Sequence, residues 1–259
     1  MTGALLETVG LSVSFGGLQA VSSLDLTVTP GQLVGLIGPN GAGKTTCIDA
    51  LSGFVPSVGR VVFDGRDISD EPPHERARRG LGRTWQSLEL FDDLTVRENL
   101  QVAAERQTPK DLLADLVMPR RRRVDVDDAV SGALVALGIE ELADRMPDEI
   151  SLGQRKLVGV ARALAGRPRL LCMDEPAAGL DSHESAELGA VLRGIVDGGV
   201  TVLLVDHDMD LVLSVCDHLY VLEFGRLIAS GAPHEVQADA RVIEAYLGRS
   251  GTARGKVVG

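Results

Sequence analysis

The chain has 259 residues, more than one average domain and fewer than two, which points to one compact α/β domain carrying a helical insertion. Hydrophobic residues make up 44% and aromatic residues only 3%, so the core is to be built from Val, Leu, Ile and Ala. The formal net charge of -11 gives no overall attraction to a polyanion, and nucleic acid is not expected as a partner.

In chain order, short β-rich runs bounded by Gly, Pro or Asp predict strands over 24–28, 33–37, 61–63, 170–173 and 200–205. Three of them, 33–37, 170–173 and 200–205, are nearly continuous apolar runs, the pattern of strands covered on both faces by helices. Helical periodicity follows at 44–51 and 182–196, giving the βα alternation of a parallel sheet. Between 88 and 166 the texture changes: 95–104, 109–117, 125–137 and 152–165 read as helices with no clear strand among them. This is a candidate helical subdomain inserted into the sheet domain. The four arginines at 120–123 lie inside it and read either as a solvated loop or as a phosphate or lipid contact. Residues 1–248 are expected to form the domain, with 249–259 as a tail.

Cys47, Cys172 and Cys216 are an odd number, lie far apart and sit in apolar stretches, which predicts buried free thiols in a reducing compartment. The start of the chain lacks a basic segment followed by a long apolar run, and no stretch approaches the roughly 20 apolar residues that span a bilayer. A cytosolic chain is expected, and any membrane association has to come through a partner.

Gly38-Pro39-Asn40-Gly41-Ala42-Gly43-Lys44-Thr45-Thr46 follows the strand 33–37 and opens a helix, the context that the G-x-x-x-x-G-K-[ST] pattern requires. Its glycines let the backbone curl so that N–H groups and the positive helix end surround a polyphosphate. Lys44 supplies charge to the β- and γ-phosphates, and the Thr45 hydroxyl can ligate Mg²⁺. A second apolar strand ends in Asp174 and Glu175 at the sheet edge where ligands of open α/β sheets sit. Asp174 is placed to hold Mg²⁺ through water, and Glu175 to accept a proton from an attacking water. Alone, the pair would also suit an ordinary acidic strand end. The run that ends in Asp206-His207-Asp208 repeats the logic, and His207 would point to the γ-phosphate or the water. His74, His183, His218 and His234 lie in polar or turn-like contexts and receive no role.

With these motifs the sequence resembles the ABC transporter ATPases, from about residue 5 to about residue 248. The distinguishing motif of that family, usually Leu-Ser-Gly-Gly-Gln, stands here as Ile150-Ser151-Leu152-Gly153-Gln154. Ser151 and the helix amides form an anion site with no phosphate loop of their own chain to serve. Leu152 departs from the usual glycine, whereas Ser151, Gly153 and Gln154 are kept. By the same resemblance Gln86 reaches Mg²⁺ and the water, Asp181 lies in a loop that crosses a dimer interface, and Phe15 stacks on adenine. From the residues alone, Asp181 also suits a helix N-cap and Phe15 a core position.

The words Phe15-Gly-Gly-Leu-Gln-Ala-Val, Arg83-Thr-Trp-Gln, Leu94-Thr-Val-Arg-Glu-Asn-Leu, Glu175-Pro-Ala-Ala-Gly-Leu, His207-Asp-Met-Asp-Leu-Val and Ala245-Tyr-Leu-Gly are similar to the branched-chain amino acid uptake branch. Sister branches for urea, amides or lipopolysaccharide export share several of them. The resemblance implies a P-loop core with an N-terminal antiparallel β region and an inserted helical subdomain. It also implies ATP and Mg²⁺ as cofactors and a second ATPase subunit that supplies Ser151, Gly153, Gln154 and Asp181 in trans. Permease subunits, a solute-binding protein and a place on the cytoplasmic face of the membrane follow from it as well. A soluble ABC ATPase of DNA repair or translation would bring two cassettes, long coiled coils or basic arms, and the sequence has none. A non-hydrolysing cassette is favoured by Leu152 alone and opposed by Lys44, Glu175 and His207.

Overall fold

Two sheets are built from segments interleaved along the chain, and the computed structural model describes residues 3–84, 90–105 and 119–252, without the side chains of 119–124 and 247–252. Gln86, the predicted helix 109–117 and the arginine side chains of 120–123 therefore lie outside the described residues. The first sheet is antiparallel: β1 (Leu6–Phe15) and β2 (Leu18–Val28) form a hairpin with Phe15 opposite Leu18. After β3 (Leu33–Ile37) and α1 (Lys44–Ser52), β4 (Val58–Phe63) and β5 (Arg66–Asp67) complete it in the order β2-β1-β4-β5.

The chain continues through α2 (Pro73–Arg78), β6 (Leu81–Arg83), α3 (Val96–Ala104), α4 (Pro119–Leu137) and α5 (Leu152–Ala165). It then runs β7 (Leu170–Asp174), α6 (Ser182–Asp197), β8 (Thr201–Val205), α7 (Met209–Val215), β9 (His218–Glu223), β10 (Arg226–Gly231), α8 (Pro233–Ala238) and α9 (Ala240–Thr252). The second sheet has the order β10-β9-β3-β8-β7-β6, parallel except for the β9–β10 hairpin. Between the paired strands β6 and β7 the described residues are helical or turn-like. Helix α9 continues to Thr252, past residue 249, where the tail was expected to begin.

Every residue of β3, β7 and β8 is buried, as the continuous apolar runs predict. Their side chains alternate between two cores, because successive residues of a strand face opposite sides of the sheet. Leu33, Ile37, Leu171, Met173, Val202 and Leu204 pack with the large helices α3 to α7, a core that takes in Leu100, Val130, Val158 and Leu192. Val34, Leu36, Leu170, Cys172, Leu203 and Val205 pack instead with α1 and the antiparallel sheet. The three cysteines are buried free thiols, and burial pushes Cys172 and Cys216 up to about 12 and Cys47 higher. At such values they stay protonated and are poor metal ligands.

Helix α1 is fixed at its far end by Arg76 from α2. The buried guanidinium donates to the terminal carbonyls of Ala50 and Leu51, both at 2.8 Å, and to Glu71 O and Ser69 O at 2.8 and 2.7 Å. Ala50 O also accepts from Gly53 N–H at 3.1 Å, whereas Leu51 O is one of the last carbonyls of α1, and Ser69 O and Glu71 O belong to the loop between β5 and α2. Burial pulls the Arg76 pKa below its ordinary value, and Glu71 and Asp70 oppose that shift. Arg76→Met should therefore lower stability by about 2–4 kcal/mol, because the carbonyls of Leu51, Ser69 and Glu71 lose a buried charged donor. Denaturant unfolding measures this, and an unchanged midpoint would show that α1 does not depend on the contact.

Candidate nucleotide site

The loop from Gly38 to Gly43 leaves the buried strand β3 and feeds α1 at the carboxyl edge of the sheet. Gly38 has φ 149° and Gly43 φ 100°, and a β-carbon would collide with the Leu222 carbonyl oxygen at the first and the Ala20 carbonyl oxygen at the second. Only glycine fits both places. The first turn of α1 carries no acidic residue, so the positive end of the helix is not neutralised by its own side chains. Lys44 is buried and curls back over the loop, its Nζ donating to Gly38 O at 2.7 Å and Pro39 O at 3.1 Å. Above the loop lies a cleft of about 620 Å³, ample for a nucleotide, lined by Phe15, Asn40, Gly41, Ala42, Thr46, Glu175 and Phe224 among others. Phe15 is 51% exposed, which settles the core alternative against it.

Asp174, the last residue of β7, is buried against α1. Its Oδ1 accepts from the Thr45 hydroxyl at 3.3 Å, while Oδ2 is buried with no hydrogen-bond partner. Arg83 Nη2 stands 3.7 Å from Oδ2, while its Nη1 pairs with Asp49 Oδ1 of α1. Burial raises the Asp174 pKa, and the Thr45 hydrogen bond and Arg83 partly offset the rise. An orphaned carboxylate oxygen beside a hydroxyl is a donor set that fits a small hard cation such as Mg²⁺. No cluster of three or more His, Cys, Asp or Glu suited to a metal occurs among the described residues, so phosphate and water would have to complete the coordination.

Glu175 follows in the left-handed region, φ 50°, held there by its N–H donating to Val205 O at 2.7 Å. Its Oε1 lies 4.0 Å from Nδ1 of His207, which extends into solvent from the end of β8. Asp206 organises both. Fully buried, it accepts from the N–H groups of His207 at 2.7 Å and Asp208 at 3.0 Å through Oδ1, and from Ala177 N–H at 2.9 Å through Oδ2. The carboxylate thus ties the turn after β8 to the turn after Glu175. Lys156 of α5 joins the same turn, its Nζ donating to Pro176 O at 2.9 Å. Burial lowers the Lys156 pKa, opposed by the charges of Asp206 and Glu175.

Ser151 caps α5 in a reciprocal box: its Oγ accepts from Gln154 N–H at 3.2 Å and its N–H donates to Gln154 Oε1 at 2.9 Å. Asp181 caps α6, accepting from the His183 and Glu184 N–H groups at 2.8 and 2.9 Å. Gly153 lies so close to Glu184 that a β-carbon would sit 2.9 Å from its Oε1. Leu152 is half exposed beside Gly179. Ser151, Gly153, Gln154 and Glu184 line a separate cavity of about 140 Å³ that no phosphate-loop residue borders. Within one chain, then, Lys44, Thr45, Asp174, Glu175 and His207 come together, while Ser151, Gly153, Gln154 and Asp181 do not join them. Sequence reasoning gave no role to Asp206, Lys156, Arg83 or Phe224. Only Asp206 carries a signal, an acid ending an apolar run as Asp174 does.

Residues 21–178, which contain the phosphate loop, the Ser151 helix start and the Asp174-Glu175 pair, match the family described as ABC transporter. The chain belongs to the ABC transporter ATPases. As a member it is an ATP-binding transporter subunit that hydrolyses ATP. Residues 226–252 match a second family, described as branched-chain amino acid ATP-binding cassette transporter. The chain is 40% identical to the high-affinity branched-chain amino acid transport ATP-binding protein BraF of Pseudomonas aeruginosa, over 96% of this chain and all of BraF. It is 36% identical to LivG of Escherichia coli K12, of the same description, at the same coverage. The lipopolysaccharide export ATP-binding protein LptB of Haemophilus influenzae is 37% identical over 95% of this chain and 98% of LptB. Among solved structures, the ADP conformation of the cassette MJ1267 superposes with a TM-score of 0.84 at 32% identity, covering 95% of this chain and all of that one. A nucleotide-free cassette superposes at 0.82, also at 32% identity, over 94% and 98%.

If Asp206 is the tie between the two turns of this ATPase, Asp206→Ala should cost about 2–4 kcal/mol, since the Ala177 N–H loses its partner inside the protein. Asp206→Asn, which keeps one acceptor oxygen, should fall between. Equal denaturant midpoints for all three proteins would remove Asp206 from this role.

Proposed function

We propose that this ATPase energises import of branched-chain amino acids from the cytoplasmic face of a membrane, working as one half of a head-to-tail pair bound to permease subunits. The observation that favours the solute class is the match of its C-terminal segment, 226–252, to the branched-chain cassette family, supported by its likeness to BraF and LivG. No helix among the described residues is long and apolar enough to cross a membrane, so the solute pathway has to lie in partner subunits. A solute-binding protein would deliver the cargo. Lipopolysaccharide export is the second reading, favoured by the similarity to LptB.

In this proposal Gly38, Pro39, Asn40, Gly41, Ala42, Gly43 and Thr46 wrap the phosphates, Lys44 neutralises them and Phe15 stacks on adenine. Lys44 has to exchange its two loop carbonyls for phosphate oxygens, a small movement because both lie in the same loop. Thr45 and Asp174 hold Mg²⁺, with Gln86, outside the described residues, as the resemblance implies. The ion would neutralise charge on the β- and γ-phosphates. Glu175 takes the proton of the attacking water, and His207 faces the same space. Ser151, Gly153, Gln154 and Asp181 of a second subunit close over the γ-phosphate. The part of the lobe near 86–99, of which 90–99 are described, passes closure to the permeases.

Glu175→Gln should keep ATP affinity and lower turnover by about 10²–10⁴-fold, the range for loss of a general base. Hydrolysis at the wild-type rate in the assembled transporter would assign the base elsewhere. For the cargo, labelled leucine, urea and a short amide are compared in cells that lack the chain or carry Lys44→Ala. Loss of leucine uptake in both supports the proposal; intact leucine uptake with impaired urea or amide uptake refutes the solute class and leaves the ATPase standing.

A further inference from the structure

The β9–β10 hairpin is closed by Phe224 and Gly225, with Glu223 facing Arg226. Their φ angles, 45° and 76°, are both positive. A two-residue turn of this kind takes Asn-Gly or Asp-Gly, because a bulky side chain is strained in the left-handed region. The β4–β5 hairpin obeys that rule, with Asp64-Gly65 at 51° and 74°. Phe224 breaks it. Burial does not compensate, since the residue is 68% exposed.

The surrounding structure imposes this conformation. Gly225 N–H donates to Ala42 O of the phosphate loop at 3.0 Å, and Gly225 O accepts from Ser22 N–H of β2 at 2.7 Å. A β-carbon on Gly225 would lie 2.6 Å from Ala20 O. The turn is clamped between β2 and the phosphate loop, and Phe224 lines the nucleotide cleft with Phe15 and Leu18, which are themselves exposed. Backbone strain that the fold over-determines is characteristic of ligand sites.

We propose that Phe224 forms a second wall of the nucleobase subsite, so that a purine is held by Phe15 at the end of β1 and by Phe224 from the β9–β10 turn. This rests on the nucleotide-site reading above. An apolar aromatic ring offers a flat face to a base and nothing to a phosphate. Its contribution is therefore the same for ATP and ADP, larger for a purine than for a pyrimidine, and nil for the polyphosphate alone.

The test is calorimetric titration of the full chain with ADP, CDP and inorganic tripolyphosphate, for the wild type, Phe224→Asn and Phe224→Trp. Asn is a residue that the turn prefers, so Phe224→Asn should unfold at the wild-type temperature or higher. It should nonetheless bind ADP about 5–50-fold more weakly, following the scale of base–aromatic stacking. It should also narrow the preference for ADP over CDP and bind tripolyphosphate unchanged, while Phe224→Trp keeps ADP affinity. ADP binding by Phe224→Asn equal to wild type, or tripolyphosphate weakened as much as ADP, would overturn the proposal. A wild-type chain that bound neither ADP nor tripolyphosphate would instead sink the nucleotide-site reading itself.

Discussion

Three parallel strands with no exposed residue, β3, β7 and β8, bring polar groups together at the edge at which they end. Backbone groups and acids at that edge cannot be left unpaired without a cost of about 1–3 kcal/mol each, so they organise one another. Asp206 satisfies three amides there, Val205 O receives the Glu175 N–H, and Lys44 covers two loop carbonyls. Asp174 Oδ2, 3.7 Å from Arg83 Nη2, is buried without a hydrogen-bond partner, as is Thr84 Oγ1 just after β6. Of these, Asp174 Oδ2 is the acceptor that lies beside the Thr45 hydroxyl, where a cation is proposed to bind.

The same packing accounts for the division of the motif residues. Helix α5 packs through Val158, Val160 and Ala161 into the helical core, and its start opens onto the small cavity beside α6 rather than onto the phosphate loop. Its capping box and the Asp181 box are local and complete, so both helix starts are preformed. What connects them to the chain's own cleft is indirect: Lys156 to Pro176 O, one residue after Glu175. A partner that met Ser151 would thereby press on the turn that carries the proposed base.

Much of this was legible in the sequence where a single segment carries the information. The apolar runs mark β3, β7 and β8 because both faces of those strands are covered, and the glycine pattern marks the phosphate loop because backbone curvature is encoded at fixed offsets. The strand predicted at 24–28 is the regular end of a longer β2, whose first half is largely exposed and offers little apolar contrast. Strand β6 has three residues and β1 bends through register shifts near Gly10, so neither has a clean period. Lys156 and Phe224 were not legible as site residues, because each acquires its position from segments distant in sequence, and Asp206 showed only as an acid ending an apolar run. Phe224 reads as an ordinary turn residue until Ala42 and Ser22 are brought to Gly225.

In the proposed head-to-tail pair, each catalytic site takes its phosphate loop from one chain and its Ser151 helix from the other. This arrangement is tested most directly by mixing two variants in a Glu175→Gln background that slows hydrolysis, one carrying Lys44→Ala and the other Ser151→Arg. In a head-to-tail pair the mixed dimer keeps one undamaged site, formed by the loop of the second chain and the helix of the first. Neither variant alone should trap ATP, and the mixture should trap one ATP per pair. A mixture as empty as its components, with both chains folded and the Glu175→Gln parent trapping ATP, would contradict this arrangement.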